Sequence, residues 1–152
     1  MKKIIFEQIG NIILVILLIA ALVQTVILSK IQTNEYLFNI KFGFLWLIFI
    51  VAALLFSFVR VFFSKHWKGY DLKKGEFSTD DEREQLISYQ ATISAYKSVV
   101  IALVVSLILF FWFSTVSNNI LLMKITGIIL FGSSIIVGFC TYLINWLVLD
   151  QR

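Results

Sequence analysis

Residues 98–117 read SVVIALVVSLILFFWFSTVS, twenty residues with no charge, no glycine and no proline. A bilayer's hydrocarbon core, about 30 Å thick, is crossed by about 20 apolar residues in α-helix. The run is continuous rather than alternating, which points to a helix and away from a barrel strand. Residues 12–29, 42–59 and 125–149 are likewise free of charge. The expected fold is an all-α membrane protein of one domain, 1–152, with four transmembrane helices arranged as two hairpins. Composition agrees: 60% of the 152 residues are hydrophobic and 14% charged, against about 45–50% and about 25% in soluble domains. Lys2 and Lys3 precede the first apolar run as in a signal peptide. That run exceeds the 7–15 residues of an h-region and no A-x-A-like site closes it, so a retained helix is expected.

Upstream of Ser98 the chain is polar, yet Gly and Pro are missing from Thr79 to Ser117. Thr79 with Glu82 forms a capping box, with Ser78 as the alternative cap. Asp80, Asp81, Glu82 and Glu84 follow, where the helix dipole favours negative charge. Leu86, Tyr89, Ile93, Tyr96 and Val100 recur at spacings of three and four and share one face. The reading is one long helix, its first turns in the cytoplasm and continuous with the third transmembrane helix. Asp80, Asp81, Glu82, Arg83 and Glu84 are then candidates for docking a partner. Asp80 and Glu84 sit one turn apart, but a hard cation needs several converging oxygens, so no metal site is expected.

The stretch Asp81-Glu82-Arg83, with Ile87 and Ala91, resembles an Asp-Glu-Arg…Ile…Lys-Ala signature of small bacterial multi-pass membrane proteins in domain-of-unknown-function families. Gln90 stands where those proteins commonly have lysine. The resemblance covers about a dozen residues and the hairpin layout. It implies an acidic helix start leading into a membrane helix, and it implies no activity.

Orientation follows from the bases, which accumulate on the cytoplasmic side of membrane helices. With the N-terminus inside, Lys2, Lys3, Arg60, Lys65, Lys68, Lys73, Lys74, Arg83, Lys97 and Arg152 are inside. Only Lys30, Lys41 and Lys124 are outside. A multi-pass cell-membrane protein with both termini cytoplasmic is expected. Arg60, Lys65, Lys68, Lys73 and Lys74, interleaved with aromatics in the link at about 60–97, form a membrane-surface basic patch suited to anionic inner-leaflet lipids. Trp46 and Trp112 near the outer ends, and Trp67 and Trp146 near the inner ends, fit an aromatic belt.

Helices in lipid associate through small residues and interhelical hydrogen bonds. On the fourth helix Gly127, Ser134, Gly138, Thr141 and Asn145 share a face and are the expected packing seam. Gly132 lies about 120° further round and is expected to tolerate a larger side chain. Ser98, Ala102 and Ser106 on the third helix, Trp46, Ala53, Ser57 and Arg60 on the second, and Ala20 with Gln24 on the first are further packing candidates.

Function classes narrow by elimination. His66 is the single imidazole and Cys140 the single thiol, so neither a disulfide framework nor a multi-ligand zinc site can form. No phosphate-cradling glycine motif occurs, and no basic folded module offers itself to nucleic acid. No acid, lysine or histidine interrupts the four apolar runs, where coupled transporters keep such a group. The expectation is a non-enzymatic protein without cofactors, an accessory, regulatory or protective component acting through contact with another membrane protein. The alternative is a small homo-oligomeric channel or transporter subunit, and a third reading is an enzyme whose site is shared with a partner.

Overall fold

In lipid a backbone must satisfy its own hydrogen bonds, and an apolar run does so as helix. The computed structural model describes residues 2–31, 38–66 and 81–151. It contains four long helices, α1 (Lys2–Leu28), α2 (Phe44–His66), α3 (Glu82–Val116) and α4 (Ile120–Asp150). All four are long and apolar enough to cross a membrane, the pattern of a multi-pass membrane protein. Between α1 and α2, Lys30–Ile31 and Phe38–Asn39 pair as a two-residue antiparallel ladder.

The helices lie in a row, α2–α1–α4–α3, with α1 and α4 in the middle. Contacts between neighbours are antiparallel. Trp46 Nε1 donates to Thr25 Oγ1 at one end of the α1–α2 pair and Arg60 meets Glu7 at the other. Ser106 meets Ser134 midway along α3 and α4, and Arg83 reaches the Asp150 carbonyl at their far end.

The helices differ in length, and the difference has a purpose in the packing. With 27, 23, 35 and 31 residues, they span about 40, 34, 52 and 46 Å at 1.5 Å per residue. A hydrocarbon core takes about 20 residues of each. Counted from Leu28, Phe44, Val116 and Ile120, it ends near Ile9, Phe63, Lys97 and Phe139. Beyond that level the first turns of α1, the first four turns of α3 and the last three of α4 form a stub.

Burial divides at the same level. Over these twenty-residue stretches the buried residues are all small: Ala21, Ser106, Gly127, Ser134 and Gly138. In the stub Ile4, Ile87, Ala91, Tyr142 and Trp146 form a hydrophobic core, with Glu7, Gln8 and Ser88 buried beside them. Lipid tails are as apolar as leucine, so helices within them gain from close backbone approach and not from burying large side chains. The large buried side chains lie beyond those stretches.

One boundary differs from the sequence reading. The N-cap of α3 is Asp81 rather than Thr79 or Ser78. Its carboxylate accepts from the Arg83 backbone N–H at 3.2 Å, and aspartate is among the strongest N-caps. Thr79 and Ser78 lie outside the described residues.

Candidate functional site

The stub gathers most of the polar side chains that are buried. On α1, Glu7 and Gln8 are 2% and 1% exposed. Glu7 Oε1 accepts from Arg60 Nε at 2.9 Å, the only salt bridge among the described residues. The Arg60 guanidinium also lies over the Phe56 ring, 5.8 Å from its centroid. That pair ties α2 to α1 at the level where the apolar span ends. On the other flank Trp146 Nε1 donates to Ser88 Oγ at 3.3 Å. Ser88 and Ala91 are small enough to let the indole of α4 lie against α3, where Trp146 is fully buried.

Between these two ties, Gln8, Thr92, Tyr96, Val99, Gly138 and Tyr142 are among the residues lining a cavity of about 300 Å³. Its lining joins amide, hydroxyl and phenol groups from the stub to apolar side chains of the membrane span. Gly138 admits Val99 to this wall, since a Cβ there would collide with Val99 Cγ2. A concave site with a few polar groups on an apolar wall is the usual form of a small-ligand pocket. This one opens at the boundary between apolar span and stub.

The expected seam on α4 is brought together in part. Gly127, Ser134 and Gly138 are buried against α3. Ser106 Oγ and Ser134 Oγ lie 2.9 Å apart, and both reach the Leu130 carbonyl at 3.1 Å. Thr141 and Asn145 are half-buried, and the Asn145 amide donates to the Thr141 carbonyl of its own helix at 2.9 Å. The buried face continues through Tyr142 and Trp146. Gly132 departs from expectation, because it is a contact point with α1. A Cβ there would collide with Ile19. As the inner member of a row, α4 has two packed faces, and Gly132 belongs to the second.

On α1 and α2, the Gln24 Oε1 accepts from the Leu45 N–H at 2.9 Å. Phe56 lies where a Cβ on Gly10 would stand. Ser57 is exposed. On α3, Ser106 is buried, whereas Ser98 hydrogen-bonds the Ala95 carbonyl of its own helix.

The candidate docking residues separate into roles. Asp81 caps α3, and Arg83 donates through Nη2 to the Asp150 carbonyl at 3.1 Å. Glu82 is exposed and Glu84 half-exposed, and Asp80 lies outside the described residues. The face formed by Leu86, Tyr89, Ile93, Tyr96 and Val100 points outward, with exposures of 59%, 65%, 37%, 70% and 41%. Packing on α4 uses Ile87, Ser88 and Ala91 instead.

Of the basic patch, Arg60 is turned to Glu7 rather than left to lipid, and Lys65 is exposed. Lys68, Lys73 and Lys74 lie outside the described residues, as does Trp67. Trp146 is core rather than belt, whereas Trp112 is 68% exposed as a belt residue would be. Sequence reasoning missed Glu7, Gln8, Ser88 and Tyr142 as site residues. A signal existed for the first: Glu7 and Arg60 are an acid and a base near the same-side ends of two adjacent apolar runs.

Comparison with protein-family models, with curated proteins and with solved structures finds no match to this chain.

Proposed function

We propose that the chain is a non-catalytic multi-pass membrane protein of two hairpins that acts by contacting another membrane protein through the exposed face of α3. The termini and the stub face the cytoplasm in this reading, in keeping with the ten-to-three distribution of Lys and Arg. The observation that carries it is the outward stripe Leu86, Tyr89, Ile93 and Tyr96, on the part of α3 beyond the apolar span. Large apolar side chains facing water mark an interaction surface, and tyrosine is enriched in such surfaces. The stripe continues into the lipid-facing side of α3 through Val100 and Val104, both exposed. A partner can therefore be met across the membrane boundary along one unbroken 35-residue helix.

The rim of this surface is acidic, with Glu82 and Glu84 in the first turn of α3. Arg83 is engaged with α4. Two copies of the chain sharing a membrane orientation would set these acids against one another. A partner with a basic juxtamembrane helix suits the surface better than a second copy does. The Asp81-Glu82-Arg83 start that carries the family resemblance is then the polar rim of the contact.

A photoreactive amino acid at Tyr89 or Tyr96 tests this in intact cells, with Leu54 of α2, 65% exposed within the apolar span, as a lipid-facing control. Expected is one discrete protein adduct at both α3 positions that fades when Glu82 and Glu84 are changed to lysine. Adducts with lipid alone, or with the chain itself alone, would overturn the proposal.

A further inference from the structure

A second groove, of about 590 Å³, lies between α1 and α4 toward the other end of those helices. Ile19 and Leu22 of α1, Ile128 of α4 and Phe110 of α3 are among its lining residues. Gly127 and Gly132 line it too, and the absence of their side chains lets Phe110 of α3 and Ile19 of α1 pack close against α4 as its walls. All of these residues lie within the apolar spans. A cavity lined this way offers water no hydrogen-bonding partners, so what fills it from the side is hydrocarbon.

One cation marks the rim. Lys124 lines the groove and is exposed, about 6 Å along α4 from its first residue by helical rise. The first turns of a helix disfavour positive charge, and among the described residues no carboxylate forms a salt bridge with it. An anion from outside the chain is a favourable partner for it. Headgroup phosphates lie at the depth to which its ammonium snorkels.

We infer that this groove binds one acyl chain of a phospholipid whose phosphate pairs with Lys124. The site is separate from the α3 surface and stands or falls without it. An apolar groove with a cation at its rim favours a lipid with an anionic phosphate over a tail of equal length without one.

Native mass spectrometry of the full chain, delipidated in mild detergent, tests the site against three probes. These are phosphatidylglycerol, diacylglycerol with the same chains, and inorganic phosphate. Expected is a single tightly retained phosphatidylglycerol, with diacylglycerol weaker and phosphate alone undetected. Lys124→Gln should weaken phosphatidylglycerol about fivefold, the scale of one interfacial base. It should leave diacylglycerol unchanged, and Lys124→Arg should restore binding. Ile128→Trp, which fills the groove, should remove both lipids. Leu22→Phe narrows the opposite wall and serves should the tryptophan variant misfold. Equal phosphatidylglycerol retention by wild type, Lys124→Gln and the groove-filling variant would show annular lipid only and overturn the inference. Phosphate alone binding as tightly as the lipid would overturn it too.

Discussion

Arg60 Nε donates to Glu7 Oε1 at 2.9 Å across 53 residues of sequence, and the carboxylate side chain is 3% exposed against 32% for the guanidinium. The acid is therefore the buried partner, and the arginine sits at its open side. Removing the arginine takes a charge-assisted hydrogen bond from a buried carboxylate, at a cost of roughly 1.5–3 kcal/mol. Arg60→Met should lower the denaturation midpoint in detergent sharply. The double change Glu7→Gln with Arg60→Met should recover most of the loss. Equal loss in the single and double variants would mean that Arg60 matters by packing on Phe56 alone.

The division between stub and span predicts where large side chains matter. Trp146→Ala in the stub core should cost about 3–5 kcal/mol. Ile101→Ala and Ile108→Ala, exposed by 64% and 63% within the span, should cost well under about 1 kcal/mol, since lipid replaces their contacts. Unfolding free energies in a single detergent check this. Comparable losses at all three positions would remove the distinction.

Gly138 and Gly132 predict a crossed rescue. Each glycine-to-alanine change should destabilise by roughly 1–3 kcal/mol through overpacking. Val99→Ala should relieve Gly138→Ala, and Ile19→Ala should relieve Gly132→Ala, because those are the side chains each Cβ would strike. The mismatched combinations should add without relief. Thermal midpoints of the four double variants decide it. Indifference of Gly132→Ala would restore a single packed face on α4.

Orientation has a direct measurement. In a Cys140→Ala background, a cysteine at Asn118 should react with a membrane-impermeant thiol reagent in intact cells, and one at Gln151 only after lysis. Reversed labelling would move the stub and the α3 stripe to the outer face, and the proposed cytoplasmic contact would fall with it.

The four helices were legible because each apolar run is long, uncharged and close to the length that a bilayer demands. Part of the α4 seam was legible too, since Ser134 and Gly138 stand four apart on one face. Beyond Gly138 the buried residues of α4 are the large Tyr142 and Trp146, which a search for small residues does not select. Periodicity identified the stripe from Leu86 to Val100, yet the side facing α4 carries Ser88 and Ala91, which look unremarkable in a sequence.

Local order thus determined the span positions, the helical state and the charge bias, all of which depend on neighbours along one chain segment. The tertiary structure alone decided the row α2–α1–α4–α3, the Glu7–Arg60 tie and the use of both faces of α4. Hydropathy measures what a residue would rather avoid, water or lipid, and is silent on which helix it will meet. That choice rests on shape, on where a glycine admits Val99 or Ile19 and where a buried carboxylate finds its arginine, and shape exists only once the helices are side by side.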